Sequence, residues 1–293
     1  MKRKGNIKIL LTLIAFVFYL HSARAQEVNK QTFTYRDTLK LDFYTTVKNI
    51  DTARPLLVVV HGGGFSGGNR DSESEVKFAR AMAGAGYAVA SISYRLTMKG
   101  KSFGCDCPAG DKIDTFVAAA EDIADAVLYL HKRSESLRFD SNKTILSGSS
   151  AGAEGVLDAV FMRDDYRFRH IPEFPVAGVI SMAGAVVNKE YITANNKVPV
   201  LFFHGAKDNT VPYGTAAHHY CKPDETGYLI LDGPEAMIEK LKEFHDSYII
   251  AFDPEGKHEW SWLAYSHVDL IKQFIEHQVL KGEFEQCVMQ LKK

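Results

Sequence analysis

Continuous apolar runs that end in glycine-rich or polar turns constrain the fold of this chain more than any other feature of its sequence. Residues 55–60 are followed by His61 and three glycines, and residues 144–146 lead into Gly148-Ser149-Ser150-Ala151-Gly152. Further apolar runs, with helical patterns between them, occupy 176–182, 198–203 and 247–252. Such runs are typical of parallel strands buried on both faces. We therefore expect an α/β fold with a mostly parallel central sheet and helices on both faces.

The rest of the chain is expected to complete a single domain. Residues 32–35 and 39–44 alternate apolar and polar side chains, which predicts an antiparallel hairpin at a sheet edge. A loop is predicted over 99–112, and a closing helix over 262–279. Neither repeats nor a low-complexity linker interrupt residues 26–293.

The first 25 residues have the pattern of a secretory signal peptide. Three basic residues at positions 2–4 precede an apolar stretch over 9–20, and Ala23-Arg24-Ala25 matches a cleavage site. The apolar stretch is too short to span a bilayer comfortably. We expect cleavage after Ala25, a periplasmic or secreted protein, and no stable membrane insertion of the mature chain.

The charge balance argues against a nucleic-acid partner. The whole chain has a formal charge of −1, and removal of five basic residues with the leader lowers it to −6. A mildly acidic surface lacks the basic patch that phosphate backbones attract.

Four cysteines would meet an oxidising compartment after export: Cys105, Cys107, Cys221 and Cys287. An even number permits two disulfides with three connectivities. We expect Cys105 or Cys107 to pair with Cys221, because both segments should lie above the same edge of the sheet. No His/Cys spacing resembles a zinc motif, so neither a metal nor an organic cofactor is expected.

Ser150 is the candidate nucleophile. The Gly148-x-Ser150-x-Gly152 pattern lies between a predicted strand and a predicted helix, a context that presents one serine on a tight, exposed turn. The glycines suit close backbone approach. Backbone N–H groups of Gly63, Gly64 and Ala151 are candidate donors to an oxyanion, because preorganised N–H groups stabilise the charge that forms in acyl transfer.

A base and an orienting acid are expected later in the chain. Asp208 follows the apolar run 198–203, and His258 follows the run 247–252. Their order, Ser…Asp…His, is the one that a serine elbow on such a sheet uses. His61 and His204 are interpreted as packed turn residues, whereas His218 and His219 are interpreted as surface or structural. Phe65 and Glu154 are possible substrate contacts, and Glu154 has an alternative structural role near a helix N-terminus.

The chain resembles the α/β-hydrolase fold, and within it compact acetyl-xylan, feruloyl and hormone-sensitive-lipase-like esterases. The matching residues are His61-Gly62-Gly63-Gly64-Phe65, Ser93-Tyr94-Arg95-Leu96, Asp122, Gly148-Ser149-Ser150-Ala151-Gly152, the residues His204, Gly205, Asp208, Val211 and Pro212, and Gly256-Lys257-His258. The resemblance implies a Ser150/Asp208/His258 triad. The usual helical cap has no counterpart before the first strands, so no large cap domain and an open site are expected. The segment 221–233 is longer than usual and is a candidate lid together with the Cys105/Cys107 loop.

The expected activity is hydrolysis of short-chain or carbohydrate-linked acyl esters, with a small-molecule or oligosaccharide ester as substrate. Two alternatives are an exported serine peptidase of the prolyl-peptidase type, which shares this kind of domain, and a non-catalytic binding protein on a hydrolase scaffold. Covalent labelling by a fluorophosphonate distinguishes the binding protein, which would not react.

Overall fold

A computed structural model describes residues 27–46 and 53–291. The predicted signal peptide and its cleavage site lie outside the described residues. The strands are β1 (Val28–Arg36), β2 (Leu39–Thr46), β3 (Arg54–Val60), β4 (Ala88–Ile92), β5 (Phe139–Ser149), β6 (Gly178–Met182), β7 (Val200–Gly205), β8 (Thr215–Ala217), β9 (Ile230–Asp232), β10 (Tyr248–Asp253) and β11 (Gln286–Gln290). The α-helices are α1 (Glu73–Gly84), α2 (Ala109–His131), α3 (Ser134–Leu137), α4 (Ala151–Phe161), α5 (Pro234–Glu243), α6 (Trp260–Leu263) and α7 (Val268–Phe274).

Nine strands form the central sheet in the order β1-β2-β4-β3-β5-β6-β7-β10-β11. The pairs β1–β2 and β2–β4 are antiparallel, and all the other neighbouring pairs are parallel. The apolar strands β3, β5, β6 and β7 lie at its centre, as continuous apolar runs predict. The mostly parallel sheet of the sequence analysis is therefore confirmed.

Buried side chains form a separate apolar layer on each face of the sheet. One layer includes Phe116 of α2 and Leu157 of α4, and the other includes Phe78 of α1 and Phe274 of α7. Because the strands alternate side chains between faces, Val58 belongs to the first layer, whereas its neighbours in sequence belong to the second. Helices on both faces supply the partners that bury this apolar surface.

Three local predictions need correction, and one strand of the central sheet was not predicted. The predicted hairpin forms, but only β1 is at the edge, because β2 also pairs with β4 and is largely buried. Helix α2 begins at Ala109, inside the segment predicted to be a loop. The closing helical segment is broken into α6, a 3₁₀ turn, α7 and a π-helical turn over 275–280. Strand β11 was not predicted; it adds to β10 in parallel.

A disulfide joins two loops above the carboxyl ends of the strands, the one before α2 and the one between β8 and β9. Cys105 is bonded to Cys221, with their Cα atoms 5.2 Å apart, while Cys107 and Cys287 are free thiols. The N–H of Gly227 donates to the carbonyl of Cys105 at 2.9 Å, and the N–H of Ala109 donates to Thr226 at 2.9 Å. Within the described residues these loops, rather than a separate helical domain, form one wall above the sheet edge.

Candidate active site

Ser150 lies at the junction between β5 and α4, in a backbone conformation that residues other than glycine rarely adopt. Its φ is 50° and its ψ is −122°, and its N–H donates to the carbonyl of Met182 at 2.8 Å. Such strain persists only where the surroundings fix it, and it is common at catalytic residues. The turn therefore holds the Ser150 hydroxyl out of the sheet.

Two glycines make this turn sterically possible. A Cβ atom on Gly148 would lie 2.2 Å from the carbonyl oxygen of Gly152, and one on Gly152 would lie 2.3 Å from that of Val60. Both distances are far below van der Waals contact. The contacts therefore support the close backbone approach expected at Gly148 and Gly152.

A chain of two hydrogen bonds connects the three residues of the predicted triad. The Ser150 hydroxyl donates to Nε2 of His258 at 2.8 Å, and the Nδ1–H of His258 donates to Oδ2 of Asp208 at 2.7 Å. A carboxylate only accepts, so its bond fixes the proton on Nδ1 and leaves Nε2 free to take the serine proton. The loops after β7 and β10 bring Asp208 and His258 to Ser150, although His258 is 108 residues from the serine in sequence.

Asp208 is held in place by more than the imidazole. Its other oxygen, Oδ1, accepts the N–H groups of Thr210 at 2.8 Å and Val211 at 3.0 Å. Burial raises the pKa of Asp208, but the hydrogen bond from His258 and the nearby His204 outweigh it, so that the net pKa lies below the usual value. Burial lowers the pKa of His258, but the bond to Asp208 outweighs it and the net pKa is raised. Asp208 is thus an anion that stabilises an imidazolium.

The glycine turn after β3 lies beside the nucleophile. A Cβ atom on Gly62 would lie 3.3 Å from Cβ of Ser150, and the φ angles of Gly63 and Gly64 are +122° and +59°. Among the described residues no backbone carbonyl accepts the N–H of Gly63 or Gly64. The N–H of Ala151, the first residue of α4, has no partner within the helix. These are the three donors predicted for an oxyanion, and the structure leaves them available.

The triad opens into a cavity of about 520 Å³ that is lined by both polar and apolar groups. The wall includes Ser72, Ser74, Glu75, Phe103, Glu154, His218, His219, Trp262 and Tyr265. Glu154 thus lies at the cavity, as one of its two interpretations required. Its burial raises its pKa to about 8, with the charge of His258 opposing that effect.

Several histidine and aromatic assignments change once the fold is known. His218 and His219 line the cavity, although their sequence context suggested surface or structural positions. His219 has a left-handed φ of 57°, which a helical interpretation of the local sequence cannot anticipate. Phe65 is wrongly assigned as a substrate contact: it is fully buried and packs against the rings of Phe103 and Phe116.

The interpretation of His61 and His204 as packed residues agrees with their surroundings. His61 contacts the carbonyl of Gly62 through Nδ1 at 2.7 Å and stacks on Tyr94. His204 donates to the carbonyl of Val211 at 3.1 Å and is fully buried.

Cys105, Cys221 and Glu225 are close enough to share a metal ion, but the two sulfurs are bonded to each other. No helix of the described residues has the length and apolar character of a membrane span.

Comparison with solved structures identifies the architecture. Esterase B from Lactobacillus Rhamnosis is 16% identical, with a TM-score of 0.56 over 85% of this chain and 86% of that one. An esterase from the planctomycete Thermogutta terrifontis, solved with propionate bound, is 18% identical, with a TM-score of 0.58 over 90% and 97%. This chain has the α/β-hydrolase fold. The fold expected from the sequence is thus confirmed.

The match to a sequence family covers a smaller part of the chain than the matches to solved structures. The BD-FAE family model matches residues 41–169, which include the glycine turn after β3, the serine elbow and α4. A search of curated proteins found no match. Asp208 and His258 lie beyond the matched segment, so their assignment depends on the chain order and on the hydrogen bonds described above.

Proposed function

We propose that this protein is an exported serine carboxylesterase that hydrolyses short-chain or carbohydrate-linked acyl esters. The observation that carries the proposal is the Ser150–His258–Asp208 hydrogen-bond chain beside three available N–H donors. A serine hydroxyl is a weak nucleophile until an adjacent base removes its proton. The arrangement supplies that base, an anion that orients it, and donors for the oxygen that becomes negative.

The reaction proceeds in two acyl transfers. Ser150 Oγ attacks the ester carbonyl while Nε2 of His258 takes its proton, and the N–H groups of Gly63, Gly64 and Ala151 stabilise the oxyanion. The imidazolium then protonates the leaving alcohol, which departs and leaves an acyl-serine. Water attacks that ester with His258 again as base, and the acid leaves as Ser150 regains its proton. Asp208 stabilises the imidazolium in both steps.

The polar groups on one side of the cavity, together with an exposed indole, favour a carbohydrate-linked alcohol over a long-chain lipid. Ser74 and Tyr265 both donate to Glu75, at 2.7 and 3.3 Å, so that hydroxyl and carboxylate groups line one side. Trp262 at the mouth is 57% exposed. An exposed indole beside polar groups offers an apolar face and hydrogen bonds together, the combination that a sugar ring requires.

Two structures of one structural relative suggest the type of reaction. Thermogutta terrifontis esterase 2 has been solved with propionate bound and, separately, phosphorylated by paraoxon. Propionate is a short acyl product, and paraoxon modifies nucleophiles of the activated kind proposed here. The disulfide between Cys105 and Cys221 supports export, because such bonds persist in oxidising compartments.

The proposal is tested by comparing the chain from Gln26 with its Ser150→Ala variant. The substrates are nitrophenyl esters from acetyl to long-chain, acetylated xylan, methyl ferulate and a prolyl peptide. We expect turnover of short-chain or carbohydrate esters and a loss of about 10⁶-fold in the variant. A Ser149→Ala control should retain most of the activity, because that hydroxyl donates to the carbonyl of Ser261 at 2.8 Å instead of to His258.

Other outcomes contradict parts of the proposal. Equal activity of the Ser150→Ala variant excludes Ser150 as the nucleophile. Cleavage of the peptide alone favours a peptidase, and a protein that neither cleaves an ester nor reacts with a fluorophosphonate is not a serine esterase. Export is tested separately by sequencing the N-terminus of the protein recovered outside the cytoplasm, which should begin at Gln26.

A further inference from the structure

The inner end of the catalytic cavity holds two buried polar side chains whose hydrogen-bonding capacity is unused. Glu154 and His218 both line the cavity, and they are 2% and 1% exposed. Oε1 of Glu154 and Nδ1 of His218 have no hydrogen-bond partner among the described residues. Oε1 lies 3.3 Å from Nε2 of His218, but without the geometry of a hydrogen bond. Buried polar groups are normally satisfied, so such a pair indicates a missing partner.

The surroundings of Glu154 and His218 keep both side chains uncharged near pH 7. Burial raises the pKa of Glu154 to about 8, with His258 and Lys112 opposing and Asp208 reinforcing the shift, and burial lowers the pKa of His218 to about 3. Near pH 7 the carboxyl is therefore protonated and the imidazole is uncharged. The nearest buried cation, Lys112, already donates to the carbonyl of Gly227 at 2.8 Å. Among the described residues no lysine or arginine lines the cavity, so a ligand carboxylate would meet no such cation there, whereas an uncharged group that both donates and accepts would fit.

The position of Glu154 and His218 indicates that they lie beside the acyl half of a bound ester. His258 must protonate the leaving alcohol, and Trp262, four residues later, is exposed at the mouth of the cavity. An alcohol attached to a large carbohydrate can leave only through that open side. The acyl group then extends the other way, towards the buried Glu154 and His218, where the ring of Phe103 lies 5.3 Å from that of His218 and Val211 also lines the cavity.

We propose that this buried end is an acyl subsite in which Glu154 and His218 hydrogen-bond a hydroxyl group carried by the acyl chain. The inference rests on the proposed esterase function and narrows its substrate to esters of hydroxy acids. A hydroxyl can donate one hydrogen bond and accept another, which matches a protonated carboxyl beside a neutral imidazole. The analogue that lacks the hydroxyl would leave both groups unpaired, so the site should discriminate against it.

The test uses pairs of esters that differ only in one hydroxyl group. Suitable pairs are ethyl butyrate and ethyl 3-hydroxybutyrate, ethyl propionate and ethyl lactate, and methyl cinnamate and methyl 4-hydroxycinnamate. The ratio of kcat/KM within each pair is the readout, because a general loss of activity in a variant cancels in that ratio. We expect at least one pair to favour the hydroxylated ester by about tenfold, the size of one net hydrogen bond.

Three variants and a matched control separate the subsite from a structural role. Glu154→Leu and His218→Phe should each bring the ratio close to one, whereas Glu154→Gln, which still donates and accepts, should preserve most of it. If Glu154→Leu does not fold, His218→Phe carries the same comparison. Asp158→Asn is the control: Asp158 is fully buried one turn later in α4 and accepts the N–H of Val187 at 3.0 Å, and it does not line the cavity. Its ratio should equal that of the wild type.

The outcomes distinguish the two proposals. Ester hydrolysis with ratios near one for every pair, or ratios that Glu154→Leu and His218→Phe leave unchanged, overturns the subsite and leaves the esterase function standing. Absence of hydrolysis of every ester overturns the esterase function itself, and the subsite with it.

Discussion

The disulfide between Cys105 and Cys221 should contribute a large share of the stability of this protein. The two cysteines are 116 residues apart in sequence, so that the bond closes a long loop in the unfolded chain. On the chain-entropy model a loop of that length lowers the entropy of the unfolded state enough to stabilise the fold by about 5 kcal/mol, an upper limit. We expect the Cys105→Ser/Cys221→Ser double variant to lose about 3–5 kcal/mol of unfolding free energy.

Urea unfolding of the oxidised chain from Gln26 measures that loss, with the two other cysteines as controls. Cys287→Ser should leave the midpoint almost unchanged, because this free thiol lies on the edge strand β11. Cys107→Ser tests whether a buried free thiol contributes through packing alone. Reduction of the wild type should reproduce the double variant. A double variant within about 1 kcal/mol of the wild type would refute the entropic reasoning.

Three further predictions concern the site. Asp208→Asn should lower kcat by about 10⁴-fold with little change in KM, because the amide no longer selects the His258 tautomer that accepts the serine proton. Steady-state kinetics measure this loss, and a loss below tenfold would contradict the role of Asp208 in orienting His258. The net pKa of His258 is raised, and only the neutral imidazole accepts a proton. Therefore kcat/KM should rise with pH through a midpoint above 6.5. A midpoint below 6 in a pH–rate profile would argue against His258 as the base. Gly152→Ala should abolish activity and lower the melting temperature, since its Cβ would lie 2.3 Å from the Val60 carbonyl oxygen; an active, stable variant would be inconsistent with that approach.

The parts of the fold that the sequence predicts best are those fixed by local patterns. The strands β3, β5, β6, β7 and β10 are apolar runs with clear ends. The predicted nucleophile, acid and base lie one, three and five residues after the ends of β5, β7 and β10. The carboxyl ends of neighbouring parallel strands meet at one edge of a sheet, so chain order alone sufficed to group Ser150, Asp208 and His258. The hydrogen bonds among them required the structure.

The features that escaped prediction depend on contacts between distant segments. His218 and His219 reach the cavity because a left-handed turn at His219 and the bond from Cys221 to Cys105 orient their loop. Phe65 follows the glycine turn, yet its ring enters an aromatic cluster that includes Phe103 of another loop. The sequence carries one signal that could have placed these histidines at the site. They are adjacent, and they lie just before Cys221, which was expected to form a disulfide.

The close contact between Gly152 and Val60 has a consequence for how activity is acquired during folding. The serine elbow is formed at the end of β5, but its shape requires the end of β3 to lie directly against it, about 90 residues earlier in the chain. A partly folded intermediate with helix α4 formed and these strands unpaired would have the nucleophile without its orientation. If the proposed esterase activity is followed during refolding, turnover should therefore be detected only from molecules whose central strands have already paired, so that activity reports cooperative folding.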